Sequence, residues 1–323
     1  MYRQVITVAA ACCLLLAMST GTAFSADTPG AKKKVVFVAG RKSHGFGAHD
    51  HKAGCHLLAK RLNESGLGIE AVVVEDGWPK DNGVFDGAAA IVVYADGGGG
   101  HPANPHLDFI QSLMDKGVGF GAIHYGVEVP KGKSGDKFLQ WIGGYFETYW
   151  SVNPHWVADY KQIPTHPVTR GVKPFKTNDE WYYHMRFREG MKGVTPVLTA
   201  VPPDATRGKE GANDAHGGNP HVQARKGQPE HTTWVAERED GGRGFGTTGG
   251  HWHWNWVQDD FRTVVLNSIA WIAKVEVPEG GVKNKTPDVD EMLANHDDAP
   301  KEVNKEKIQQ NLELIRDQKI GGK

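Results

Sequence analysis

The sequence predicts an α/β protein built on a mainly parallel sheet, with helices on both faces and additional cap-like insertions. Short apolar runs rich in β-branched residues alternate with amphipathic stretches of helical periodicity. The runs are apolar at successive positions, which is typical of strands that helices cover on both sides. Polar, glycine-containing loops separate the two kinds of segment, as in repeated βαβ units.

The first half of the chain contains most of the predicted sheet. Four apolar runs predict strands at Lys34–Ala39, Ile69–Val74, Ala88–Tyr94 and Val118–His124. Helical patterns lie between them, from Asp50 to Ser65 and from about Asn104 to Lys116. Because ligands of such sheets bind outside the carboxyl ends of the strands, the loops that start at Gly40, Ala95 and His124 should share one rim.

The second half is less regular. Residues 141–201 are rich in aromatic and turn residues and predict insertions plus further strands, and residues 202–231 predict a long surface excursion. Strands at Thr232–Ala236 and Phe245–Thr248 lead to a closing helix from Asp259 to Lys274. Residues 275–323 are charged and predict a tail outside the core, disordered around 278–300, with a helical stretch near 303–317.

The amino terminus predicts export. An apolar run from Val5 to Met18 precedes Ala23-Phe24-Ser25, so residues 1–25 read as a removable signal peptide, and we expect the mature chain in the periplasm or outside the cell. The run is shorter than a membrane span, so we expect no spanning helix. Lys plus Arg number 37 against 38 Asp plus Glu, a balance that gives no indication of nucleic acid or an anionic membrane as partner.

Four stretches, in order, resemble the trehalose-utilisation (ThuA-like) family over roughly residues 34–274. They are residues 35–47, residues 119–124, residues 166–171 with 178–182, and the glycine-rich block from Gly242 to His251 and its helix. The resemblance implies a class I glutamine-amidotransferase-like, flavodoxin-like fold and a role in carbohydrate catabolism. Together with the signal peptide and the charged tail predicted from composition, it gives the boundaries 1–25, 34–274 and 275–323 for signal peptide, main domain and tail.

The turn after the fourth strand argues against glutaminase chemistry. Amidotransferases of this fold present a cysteine nucleophile there, whereas this chain has Ile123-His124-Tyr125-Gly126, and Cys55 lies in the first predicted helix. An imidazole can move a proton near neutral pH, so His124 is our first candidate for a general base or acid. The alternative is a buried histidine that only caps the end of the strand.

Three more residues complete the predicted catalytic set. His251 follows Gly249-Gly250 about where amidotransferases carry their catalytic histidine, and His44 lies in the loop after the first strand. Glu180 can orient an imidazole or transfer a proton, and its alternative role is a salt bridge that pins a loop. Glu128 is either a further site carboxylate or a solvated surface residue.

The predicted substrate is a small carbohydrate. We expect Tyr125, Asp96, Trp181 and Trp252 to bind it, because two lie in rim loops and two offer flat rings that stack on sugars. The pairs His49-x-His51 and His251-x-His253, with His44, His124 and Asp96, leave a divalent ion open as a cofactor, although the sequence assigns no metal ligand.

These residues support two functional hypotheses. The first is an enzyme that applies acid/base chemistry to a sugar-derived substrate, such as a keto sugar, with isomerisation, elimination or hydrolysis as the outcome. The second is a non-catalytic sugar-binding or scaffold module at the cell envelope. Oligomerisation is compatible with both.

Overall fold

A seven-stranded sheet forms the centre of the protein, as seen in a computed structural model that describes residues 31–212 and 214–319. The strands of the chain are β1 (Lys33–Ala39), β2 (Ile69–Val74), β3 (Ala88–Tyr94), β4 (Gly119–Ile123), β5 (Gly144–Tyr145), β6 (Trp156–Tyr160), β7 (Phe175–Asp179), β8 (Arg186–Phe187), β9 (Val194–Ala200), β10 (Glu230–Glu237) and β11 (Arg243–Thr247). The sheet order is β2-β1-β3-β4-β11-β10-β9. Only β10 runs against its neighbours, so the predicted mainly parallel sheet is confirmed.

Helices cover both faces of this sheet. The α-helices of the described residues are α1 (His51–Glu64), α2 (Leu107–Met114), α3 (Lys133–Ile142), α4 (Pro220–Gln223), α5 (Asp259–Ile272), α6 (Val289–Leu293) and α7 (Lys305–Arg316). Alternate residues of β1 enter the two cores: Phe37 packs in the cluster that contains residues of α1 and α5, and Val38 in the cluster that contains residues of α2 and α3. This two-sided burial explains the continuous apolar runs of the parallel strands.

The predicted insertions form two small antiparallel pairs beside the sheet. Strands β6 and β7 pair with each other, as do β5 and β8, whereas β9 joins the main sheet at its edge. The predicted surface excursion, 202–231, includes α4 and is anchored by two fully buried side chains, Arg207 and Val222. The Arg207 guanidinium donates a hydrogen bond to the Val222 carbonyl oxygen at 3.0 Å.

The C-terminal segment is part of the packed structure, contrary to the prediction of a tail outside the core. Met292, Leu312 and Ile315 are buried in the same hydrophobic cluster as α1 and α5, and Glu291 forms an ion pair of 2.8 Å with the buried Arg61. The sequence did not predict these contacts, because only a few apolar residues make them and charged residues separate those few. Disorder around 278–300 was therefore the wrong inference from polarity.

Three consecutive residues, which we call the C-terminal clasp (296–298), hold the loop between β1 and α1. His296 has a fully buried side chain whose Nδ1 lies 3.1 Å from Asp50 Oδ2. Asp297 pairs with Lys52, and Asp298 lies 3.0 Å from the Lys42 ammonium. Asp50 in turn accepts a hydrogen bond from the Gly47 amide at 2.7 Å, so the clasp fixes the whole 42–52 segment.

The predicted signal peptide, residues 1–25, lies outside the described residues. Within 31–212 and 214–319, no helix combines the length and the apolarity needed to cross a bilayer.

Candidate active site

Four strands end at one edge of the sheet, and the residues that follow them form the candidate site. Loops after β1, β3, β4 and β11 contribute His49, Asp96, His124 and His251, and Glu180 follows directly after β7. The predicted shared rim is thus present in the structure. It lies where ligands of parallel sheets bind.

His124 occupies the turn at the end of β4 with a left-handed backbone, φ 54°. A side chain at positive φ is strained and persists only where surrounding structure holds it. The fully buried His124 ring is held by its Nδ1–H, which donates to the Thr248 carbonyl oxygen at 2.8 Å. Because a carbonyl oxygen can only accept, Nε2 carries the lone pair and points into the site.

His49 is the site residue that the sequence did not single out for catalysis. It too has a positive φ, 49°, and its ring is buried. Its Nδ1 lies 2.8 Å from Asp96 Oδ1, so the carboxylate accepts from Nδ1–H and leaves a lone pair on Nε2. Burial lowers the pKa of His49 to about 3, against the opposing effect of Asp96, so this ring is neutral at physiological pH.

His251 is placed by a buried carboxylate that sequence reasoning passed over. Asp179, at the end of β7, accepts hydrogen bonds from the backbone amides of Gly250 at 2.7 Å and His251 at 3.1 Å. Gly249 permits the close packing of this loop, since a Cβ there would lie 2.3 Å from the Trp181 ring. The loop thereby brings His251 Nδ1 to 3.0 Å from Glu180 Oε2.

The side chains of these residues converge on one point. His49 Nε2 lies 3.1 Å from both His124 Nε2 and His251 Nδ1, and Glu180 Oε2 lies 3.5 Å from His124 Nε2. All four atoms are within 4.8 Å of one another. Burial opposes the ionisation of Glu180, but its contacts with the His124 and His251 rings hold its pKa well below the usual range. The group therefore combines three imidazoles and one carboxylate, all of which are common metal ligands.

Two exposed imidazoles flank this group. His44 stacks against the His49 ring with centroids 3.7 Å apart, and the half-exposed His155 packs edge-on against His251 at 4.8 Å. Burial lowers the pKa of both below the usual histidine value. Partly buried Tyr125 and Trp252 lie beside His49 and His251 respectively. This exposed side is where a substrate can approach.

Some residues that the sequence analysis considered for the site do not have the predicted role or position. Trp181 is fully buried in the core, with its indole N–H donating to the Thr177 carbonyl oxygen, so its ring cannot stack on a sugar in this conformation. Asp96 orients His49, and this contact is its principal one in the site. His253 lies apart from the group, bonded to the Met292 carbonyl oxygen. Glu128 is buried, not solvated, and lies 3.4 Å from His216 of the excursion.

Tyr182 also belongs to the site, although the sequence analysis did not assign it. Its hydroxyl lies 3.3 Å from both His124 Nε2 and Glu180 Oε2. Cys55 is fully buried within α1, and burial raises the pKa of its thiol. The thiol is therefore unsuited to act as a nucleophile.

Comparison with known proteins establishes the family. A family model described as ThuA, trehalose utilisation, matches residues 34–272. The chain belongs to the ThuA family. A search of curated protein sequences found no significant match.

Solved structures give the same fold for this ThuA-family chain. A putative ThuA-like protein from Parabacteroides merdae has a TM-score of 0.51 at 17% identity, over 79% of this chain and 93% of that one. One from Bacteroides uniformis has a TM-score of 0.52 at 16% identity, over 78% and 94%. The predicted family and the α/β fold class, a mainly parallel sheet with helices on both faces, are confirmed.

Proposed function

We propose that this ThuA-family chain is an exported enzyme of carbohydrate catabolism that performs acid/base chemistry on a sugar-derived substrate. The observation that carries the proposal is the convergence of His49, His124, His251 and Glu180 at the rim of the sheet. Structural histidines seldom gather with a carboxylate at a ligand-binding edge unless they have a chemical task.

The tautomers of the site support proton abstraction. His124 Nε2 and His49 Nε2 both present lone pairs, because their Nδ1–H groups are engaged with Thr248 and Asp96. A base at this point, either a ring nitrogen or a water that the group holds, can take the proton next to the carbonyl of a keto sugar. Isomerisation, elimination or hydrolysis can follow. The lack of a nucleophile in the His124 turn fits this chemistry better than acyl transfer.

Turnover by the purified chain tests the proposal. Trehalose, simple glycosides and their keto derivatives are offered to the wild type, to Glu180→Gln and to Glu70→Gln, a matched change at an exposed position of β2. We expect at least one substrate to be converted, with kcat about 10²- to 10⁴-fold lower in Glu180→Gln and unchanged in the control. Binding of a sugar with no conversion by the wild type overturns the proposal in favour of the sugar-binding module.

The export part of the proposal has its own test. It is supported by the apolar run and small-residue pattern that end near Ser25. Expression of the complete chain in a bacterium should place it in the periplasm or medium, and N-terminal sequencing should begin at Ala26. An intact chain that begins at Met1 in the cytoplasm contradicts export and leaves the enzymatic proposal unaffected.

A further inference from the structure

We infer that His49, His124, His251 and Glu180 bind a divalent transition-metal ion between them. This inference deepens the proposed function, because it assigns a cofactor to the same site. It does not depend on the substrate, since an ion can be measured without turnover.

The protons of the neutral His49 and His124 rings point away from the centre of the group. The Nδ1 atoms of His49 and His124 face oxygen atoms that can only accept, the Asp96 carboxylate and the Thr248 carbonyl oxygen. The single proton of each neutral ring is therefore on Nδ1. Two lone pairs on Nε2 then face each other at 3.1 Å. Such a contact is repulsive unless a cation lies between the nitrogens.

A single shared proton accounts for less of the geometry than a metal ion does. A proton can bridge one pair of atoms, but His49 Nε2 is equally close, at 3.1 Å, to His251 Nδ1. Glu180 Oε2 then lies 3.0 Å from His251 and 3.5 Å from His124, which closes a ring of four short contacts. One ion at the centre of this ring contacts all four atoms at once.

The size of the ring fits such an ion. The four contacts of 3.0 to 3.5 Å average about 3.2 Å, which puts a common centre about 2.0 Å from each atom in a tetrahedron and about 2.2 to 2.3 Å in a plane. Bonds from Zn²⁺ to imidazole nitrogen and carboxylate oxygen are about 2.0 to 2.2 Å long. The atoms therefore need to move only a few tenths of an ångström, if at all.

The surroundings resemble those of metal-bound histidines. Ligating imidazoles usually donate their second N–H to a carboxylate or a backbone carbonyl oxygen, which fixes the ring. His49 does so with Asp96 and His124 with Thr248. His251 is fixed instead through its backbone by Asp179. Three imidazoles favour Zn²⁺ and its first-row neighbours over Mg²⁺ and Ca²⁺, which prefer oxygen ligands.

An ion at this point changes one step of the proposed chemistry. Beyond these four ligands it would need a further, open position for a water, whose pKa it would lower so that this water could supply the base for the substrate C–H proton. It would also stabilise the negative charge on the substrate carbonyl oxygen that receives the electron pair of the C–H bond. His124 then acts as a ligand, and the exposed His44 and His155 remain free to exchange protons with the substrate.

Metal titration of the purified chain, after treatment with a chelator, tests the inference. We expect one equivalent of Zn²⁺ or Co²⁺ to bind, with the Co²⁺ complex giving the visible absorption of an ion bound by nitrogen ligands, and no comparable binding of Mg²⁺. His49→Ala and His124→Ala should each lower Zn²⁺ affinity at least about 100-fold, and Asp96→Asn about 10- to 100-fold. His56→Ala, which removes a partly exposed imidazole of α1 that pairs with Glu75, should leave the affinity unchanged.

Two results would overturn the inference. One is a wild-type chain that binds neither Zn²⁺ nor Co²⁺ more tightly than Mg²⁺, which leaves a proton as the cation between the rings. The other is affinity that survives in both His49→Ala and His124→Ala. Circular dichroism checks that each variant is folded, and the wild-type titration decides the matter even where a variant is not. Turnover is measured separately. If the protein binds Zn²⁺ but converts no substrate, that result contradicts the proposed function and leaves the metal site standing.

Discussion

Replacing Asp179 by Asn should destabilise the protein strongly, although the two side chains have nearly the same shape. The Asp179 carboxylate is fully buried and accepts at both oxygens. Oδ2 accepts from the Gly250 amide at 2.7 Å and from the Asn255 side-chain amide at 2.9 Å. Oδ1 accepts from the amides of Glu180 at 2.8 Å and His251 at 3.1 Å.

The expected magnitude follows from counting donors. An asparagine keeps one oxygen, so one pair of buried N–H donors faces another N–H group and loses its acceptor. Each unsatisfied buried donor costs about 1–3 kcal/mol, which gives about 2–6 kcal/mol for the pair. For a chain of this size, with an unfolding entropy of roughly 2.1 cal/mol/K per residue, the melting temperature should fall by roughly 3–10 °C.

Differential scanning fluorimetry and urea unfolding measure this effect. Asp159→Asn on β6 is the matched control, because its partly exposed carboxylate forms surface ion pairs with Lys161 and Lys176. That change should stay within about 0.5 kcal/mol. If Asp179→Asn melts within a degree of the wild type, the reasoning that this carboxylate secures the 249–252 loop is refuted.

Three further predictions concern the C-terminal clasp and the thiol. His296→Ala should weaken Zn²⁺ binding, because it loosens the loop that carries His49. The control Lys60→Ala removes a remote ion pair to Glu291 and should leave Zn²⁺ binding unchanged. Equal affinities of the two variants in calorimetric titrations contradict this prediction. Acid should release the clasp: although burial acts in the opposite direction, the adjacent His296 ring and a hydrogen bond from Lys42 lower the pKa of Asp50 to about 2. Because the pKa of Asp50 is about 4 in the unfolded chain and lower in the folded one, the ionised carboxylate stabilises the fold above about pH 4. That stabilisation is lost as the pH falls through about 2. Hydrogen exchange at that pH should show residues 289–316 opening before the sheet, not with it. The buried thiol of Cys55 should react with a disulfide reagent only after unfolding, and rapid labelling of the native chain would show that α1 opens locally.

The sheet and three of the four central site residues were predictable from sequence. Parallel strands buried on both faces leave continuous apolar runs, and the rule that ligands bind at their carboxyl ends then selects the following residues. This selected His124 directly after β4 and His251 after β11. The family resemblance added the block that contains Glu180.

His49 could not be selected in the same way. Its role depends on a left-handed backbone and on Asp96, which lies 47 residues further along the chain. Neither is visible in a local pattern. Trp181 shows the opposite failure, since an aromatic residue next to a site residue looks the same in sequence whether it lines a cleft or fills the core. The clasp was missed because its ion pairs join residues about 245 positions apart, such as Lys52 and Asp297.

The order of the strands has a consequence for how the protein is made. Strand β11 lies between β4 and β10, and His251 follows it, so a ribosome must have produced most of the chain before the rim has all its residues. The clasp emerges later still. A nascent chain, or one halfway through a translocon, therefore has a gap in the middle of its sheet and an incomplete site. We expect the sheet to be completed only after β11 has emerged, and the site only after the clasp has followed it, in whichever compartment the polypeptide folds.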